Sequence, residues 1–176
     1  MKLLKELIHP DLTSREGRIL RRHAARGIVL RDEKILLLFT ERYNDFSLPG
    51  GGVDEGEDIT VALARELEEE TGARNIQVRE HYGFIEEYRP HWKPEYDLMH
   101  MTSHFFVCDV AAKLANVRME SYEIANGMKP VWVSVSEAIS HNRQVMARQE
   151  KTMGQSIQRE TFMLDRISRE LAPQPA

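Results

Sequence analysis

Cysteine is nearly missing from this chain. Cys108 is the only one in 176 residues, so no disulfide can form within the chain, and the composition suits a reducing compartment. It lies in the apolar run HFFVCDV, where a buried strand position is expected rather than a reactive thiol. Long apolar runs are missing too, and none approaches the roughly 18 residues needed to cross a bilayer. The opening stretch MKLLKELIHPDL carries Glu6 and Pro10 where a secretory signal needs an unbroken apolar core. A cytoplasmic protein without a membrane partner is therefore expected. Basic excess is also absent: the formal net charge of −4 provides no footprint for a polymeric nucleic acid. A small phosphate-bearing ligand stays possible if a metal offsets its charge. There is no internal repeat and no low-complexity stretch.

What is present is the composition of an ordinary globular protein, 41% hydrophobic and 30% charged, long enough for one domain with a proper core. Residues 1–22 read as an N-terminal extension, with an amphipathic helix over 2–8 and a polar, basic lead over 13–22. The domain then spans 23–172. Ala24–Leu30 and Ile35–Phe39 read as strands joined by a tight turn, and 41–45 as a loop. Ile76–Phe84 reads as a strand, Tyr88–Asp97 as a loop, and Met99–Val110 as the next strand. Asn126-Gly127 marks a turn before the short strand Val131–Val133. Ser136 is positioned to cap a helix starting at Glu137, and apolar residues from Met153 to Leu171 follow a loosely helical spacing. That last helix, rich in Met and Leu, packs on the domain or on a second copy of the chain, which makes a homodimer an expectation. The tail 173–176 is expected to be disordered.

The chain is organised around Gly51–Ala73, GGVDEGEDITVALARELEEETGA, a glycine-rich turn, an acidic loop and a helix. Asp58 can cap its start and Gly72 can end it in the left-handed conformation. At roughly 100° per residue, Ile59, Ala62, Leu63 and Leu67 share one sector that should face a core. Glu66 and Glu70 fall inside that sector, Glu69 lies at its edge, and Val61 and Glu68 point away. Three carboxylates within about 5 Å, at an effective dielectric near 20, repel by up to roughly 3 kcal/mol per pair. Arg65 can answer Glu69 one turn on but cannot serve all three. Clustered acidic oxygens without Cys or His suit hard divalent cations, Mg²⁺ or Mn²⁺.

The order Gly51, Glu57, Arg65-Glu66-Leu67, Glu69-Glu70, Gly72 and a small apolar residue, at this spacing, resembles the Nudix box of MutT-like hydrolases. Every fixed polar and glycine position is met. The departure is Ala73, where the family usually carries Ile, Leu or Val. The resemblance implies an α/β (α+β) fold, the Nudix α/β/α sandwich with a mixed sheet, and a metal-dependent hydrolase of phosphoanhydrides. On it, Glu66, Glu69 and Glu70 match the metal ligands, a carbonyl at Gly50 can add an oxygen, and Glu57 and Arg65 brace the loop and helix of the catalytic element. The family's general base varies in position. Candidates outside the box are Glu86, Glu87, Asp97, Glu120 and Glu123, with Asp97 and Glu120 foremost and all five expected as exposed acids.

Arg42 can reach a ligand phosphate, and Tyr88 and Trp92 can stack on a base. The expected substrate is a small molecule, a nucleoside diphosphate linked to another group: ADP-ribose, a dinucleoside polyphosphate or a nucleoside triphosphate. Two alternatives share the fold. A non-catalytic nucleotide-sensing module would bind without turnover, and a prenyl diphosphate isomerase would need a cysteine at the site, for which Cys108 sits in the wrong kind of segment.

Overall fold

The computed structural model describes residues 1–172, and the tail 173–176 lies outside the described residues. Nine strands and four helices occur among them: β1 (Leu3–Ile8), β2 (Ile19–Ile28), β3 (Leu30–Arg31), β4 (Lys34–Thr40), β5 (Asp45–Ser47), β6 (Gly50–Gly52), α1 (Ile59–Thr71), β7 (Gln77–Arg89), β8 (Leu98–Asp109), α2 (Ser121–Ala125), β9 (Met128–Val133), α3 (Val135–Arg148) and α4 (Ile157–Glu170). One sheet runs β1-β7-β8-β2-β6 and a second is built from β3, β4, β5 and β9. The first is mixed: β1 is parallel to β7 and β2 to β8, while β7–β8 and β2–β6 are antiparallel.

Apolar side chains gather in two clusters. Ala25, Leu36, Phe106 and Cys108 pack with Leu63, Leu67 and Ala73 around α1. Ile28, Ile35, Ile85 and Phe105 pack with Ala138 and Ile139 of α3 and Met163, Leu164 and Ile167 of α4. Helices thus cover both sides of the sheets, the α/β/α arrangement. Period-two alternation along β2 divides its residues between the two: Ala25 faces α1, while Ile28 faces the α3/α4 side. The apolar face of α4 is buried within the chain itself.

Several elements differ from the sequence reading. Residues 2–8 are not a helix: β1 is an edge strand on β7, with a register shift between Leu3 and Lys5. A bulge there lets Leu4 and Leu7, three apart, both reach the core, which simple alternation forbids. β2 starts at Ile19, five residues before the apolar run, because β8 offers ten successive partners from Leu98 to Val107. Tyr88 and Arg89 belong to β7, which extends five residues past Phe84, so the loop begins at Pro90. Ser134, not Ser136, caps α3 by accepting from the Glu137 N–H. The last helix begins only at Ile157.

Candidate active site

α1 is placed by its ends. The Asp58 carboxylate accepts from the N–H groups of Thr60 and Val61, and Gly72 closes the helix at φ 76°. Between them Leu63 and Leu67 are fully buried, which fixes the helix's rotation and turns Glu66 and Glu70 toward β6. Gly51 shows how close that approach is: a Cβ there would lie 2.6 Å from the Glu66 carboxyl carbon. Only glycine fits. Gly50, at φ 144°, donates its N–H to Glu70 Oε2 at 2.8 Å.

Arg65 is the cation of this cluster. Its Nε and Nη2 donate to the two oxygens of Glu57 at 3.1 and 3.0 Å, and its Nη1 donates to Glu66 Oε1 at 2.8 Å. Glu69, the partner expected from the helix spacing, is 3.7 Å away. Arg65 therefore ties the acidic loop to the helix through Glu57, and Glu57 is held below the usual carboxylate range by it.

Glu70 is in a different situation. It is 4% exposed, and burial pushes its carboxyl well above the ordinary range; the Gly50 N–H opposes this, while Glu123, bonded to it, and Glu66 add to it. Burial likewise raises Glu66, against Arg65. Two desolvated carboxylates with a third facing them carry a deficit of positive charge. Among the described residues no three acidic, imidazole or thiolate groups already converge around an ion position, and Glu66 is held by Arg65. The donor set, carboxylate oxygens with no sulfur or imidazole partner, fits a hard divalent cation.

Glu123 is the acid whose place the sequence hid. Of the five candidate bases, all expected to be exposed, Glu123 and Glu87 are buried at 4% and 6% exposure. Glu123 caps α2 by accepting from the Glu120 N–H at 2.8 Å, and its carboxyl meets Glu70. The pair Glu120 and Glu123, three apart at the spacing of a capping box, was the available signal. Glu87 is taken up by Arg159 at 2.7 Å and by Arg89. Glu120 is exposed at the start of α2. Asp97 anchors the N–H and guanidinium of Arg18. Arg18 lies six residues before Ala24, where β2 meets Gly52, so Asp97 sits roughly 20 Å along the strand from the box. Glu86 is 3.8 Å from His100.

The three substrate candidates are not brought together. Arg42 donates to Asn126 Oδ1 at 3.1 Å, on the α2 side of the acids. Tyr88 is stacked on His100 at 4.4 Å between ring centroids and is already occupied. Trp92 is 81% exposed on the 90–97 loop. Cys108 is buried and its thiol is pushed up to about 12 by burial, which makes it inert.

A family model described as NUDIX domain matches residues 21–155. The chain belongs to the NUDIX family. Similarity to curated Nudix relatives is concentrated in part of the chain. It is 43% identical over 70 residues to a CMP-5'-(N-acetyl-N-hydroxy-3-aminopropyl)phosphonate hydrolase of Streptomyces rubellomurinus, covering 36% of this chain and 34% of that protein. It is 41% identical over 56 residues to an RNA pyrophosphohydrolase of Pelagibacter ubique, covering 30% and 35%. The chain thus spans about a third of the length of these curated relatives. A NUDIX hydrolase from Nitrosomonas europaea shares the fold at a TM-score of 0.55 and 16% identity, over 88% of this chain and 97% of that one. No helix among the described residues is long and apolar enough to cross a membrane.

Proposed function

We propose that this Nudix domain hydrolyses a phosphoanhydride linkage in a nucleoside diphosphate joined to another group. The carrying observation is Glu70, buried against Glu66 and Glu123 with the Gly50 N–H as its donor. A carboxylate kept this dry without a cation is a cost that a binding function explains.

Glu66, Glu69 and Glu70 would hold a divalent cation, Mg²⁺ or Mn²⁺, with the Gly50 carbonyl as a further oxygen. When bound, the cation neutralises phosphate oxygens and polarises the linkage toward attack by water. The chain's own residues do the rest. Glu57 retains Arg65 when Glu66 is engaged elsewhere, so the acidic loop keeps its place. The Gly50 N–H fixes one Glu70 oxygen, and Glu123 meets the same carboxyl. Glu123, the buried acid nearest the cluster, takes the place that the sequence assigned to Asp97 or Glu120 as proton acceptor from water.

The test is a screen of ADP-ribose, dinucleoside polyphosphates and nucleoside triphosphates with Mg²⁺, following release of phosphate or nucleotide. Glu69→Gln should cut turnover by about a hundredfold or more with the fold intact. Tight nucleotide binding by calorimetry without turnover in any metal would instead make the domain a sensing module.

A further inference from the structure

The turn that enters β6 is held from two helices at once. Between Ser47, which ends β5, and Gly51, Pro49 has no N–H, so the only backbone donors are those of Leu48 and Gly50. Each is taken by a buried carboxylate of a different helix. Leu48 donates to Glu160 Oε2 of α4 at 3.1 Å, and Gly50 donates to Glu70 Oε2 of α1 at 2.8 Å. The two glutamates are 1% and 4% exposed, so both bonds are shielded from water. The carbonyls are fixed from β2: Gly27 donates its N–H to Pro49 at 2.9 Å, and Arg26 Nη1 reaches the Leu48 carbonyl at 3.5 Å. The turn is pressed against that strand, since a Cβ on Gly50 would lie 2.1 Å from the Ala25 carbonyl oxygen.

Glu160 divides its two oxygens. Oε1 accepts from Arg159 Nη2 at 2.9 Å and lies 3.8 Å from Arg26 Nε, while Oε2 is the oxygen that holds Leu48. The arginines thus fix the carboxylate in place and leave one oxygen for the turn. Glu87 belongs to the same network and does not do this. Its Oε1 accepts from Arg159 at 2.7 Å and its Oε2 accepts from Arg89, so both oxygens stay within ion pairs. A carboxylate needed only to balance charge would spend its oxygens as Glu87 does.

We infer that Glu160 is a positioning residue for the acidic cluster of α1: it anchors the Leu48–Gly50 turn and through it sets where the Gly50 N–H and carbonyl stand against Glu70. The inference rests on the reading of that cluster as the cation site and adds the group that keeps its glycine in place. The link is short. Only Pro49 separates Leu48 from Gly50, and its ring fixes φ, so a shift at Leu48 is passed on to Gly50 rather than absorbed. β6 itself pairs with β2 only over Gly50, Gly51 and Gly52, a short hold for residues whose backbone dihedrals are the least restrained of any. The anchor on α4 supplies what the strand lacks.

The experiment compares Glu160→Asp with Glu87→Asp in the full chain. Each keeps its charge and draws the carboxylate back by one C–C bond, roughly 1.5 Å, enough to take the Leu48 contact out of hydrogen-bond range. Amide hydrogen exchange in EDTA, read at Gly50 relative to the amides of β4, needs no metal. Glu160→Asp should speed Gly50 exchange by about tenfold to a hundredfold, the loss that one hydrogen bond to a charged group represents, and calorimetry should show Mn²⁺ binding weakened by about tenfold. Glu87→Asp should lower the melting temperature and leave both readings unchanged. Similar changes in the two variants, or an unchanged Gly50 amide in Glu160→Asp, overturn the inference and leave the hydrolase reading in place. If the wild type neither binds Mn²⁺ nor turns over any substrate, the hydrolase reading fails, and the exchange comparison in EDTA still decides on Glu160. If Glu160→Asp does not fold, the wild type decides: the Leu48 and Gly50 amides should be protected to within about tenfold of each other, as two bonds broken by one opening are, and a wider gap overturns the inference.

Discussion

Two clusters of buried charge flank the Leu48–Gly50 turn, and they are balanced differently. On the α4 side, Arg26, Arg89 and Arg159 surround Glu87 and Glu160. Glu160 also accepts from the Leu48 N–H at 3.1 Å. Burial pushes Glu87 up, but Arg159 and Arg89 outweigh it and hold the group below its ordinary value. On the α1 side, one guanidinium, Arg65, answers Glu57 and Glu66, while Glu70 faces Glu123 and is raised. Similar burial with opposite shifts distinguishes an ion network paired largely within the chain from the cluster we propose as the cation site. On that proposal the second cluster takes its balancing charge from outside.

The sharpest way to break this contrast is to exchange the carboxylates for amides, one cluster at a time. Glu70→Gln should lower turnover by about a thousandfold with the fold intact, because a neutral amide neither neutralises nor positions a divalent cation as a carboxylate does. Steady-state kinetics with circular dichroism would show both. Glu87→Gln should do the reverse, costing about 3 kcal/mol or more of stability by leaving Arg159 and Arg89 buried without their anion. Urea unfolding would measure it, and an unchanged midpoint would remove the network from any structural role.

Asp45 sharpens the contrast from the α4 side. Burial, with the charge of Glu160, raises its carboxyl to about 6. The folded state therefore binds this proton more tightly than the unfolded chain does. The stability it contributes is present at pH 4 and is lost as pH rises to about 6. Asp45→Asn should gain at most about 3 kcal/mol at pH 8, the equivalent of the shift from 3.8 to about 6. It should gain little at pH 4. Melting curves at the two pH values give the difference.

The α1 cluster was legible in the sequence because its information is local. Helix period, cap, stop and carboxylate spacing all lie within Gly51–Ala73, and the helix wheel alone placed Glu66 and Glu70 on the inward side. The α4 cluster was not. Arg26, Glu87 and Arg159 are brought together from β2, β7 and α4, so no window of sequence contains them, and each alone reads as a solvated charge. The same blindness put Asp97 and Glu120 ahead of Glu123, since proximity to Glu70 depends on where a five-residue helix docks. β1 failed for a related reason. Leu3, Leu4, Leu7 and Ile8 satisfy a helical stripe, and only the unpaired edge of β7 decides for a strand.

The smallest effect is also the one most specific to the contrast. In metal-free protein, Glu70 ionises at the expense of the folded state. Its folded value lies well above the ordinary carboxylate range, so the stability of the protonated form is lost as pH rises from about 4 toward that raised value. At pH 8 in EDTA, Glu70→Gln should therefore be more stable than wild type by about 1 to 2 kcal/mol, the relief of burying an uncompensated charge. Adding Mg²⁺ should stabilise the wild type by mass action on the folded state and leave the variant nearly where it was, so that the two melting temperatures converge or cross. A variant less stable than wild type in EDTA would mean that Glu70 is already compensated within the chain, and the two clusters would then differ in composition without differing in purpose.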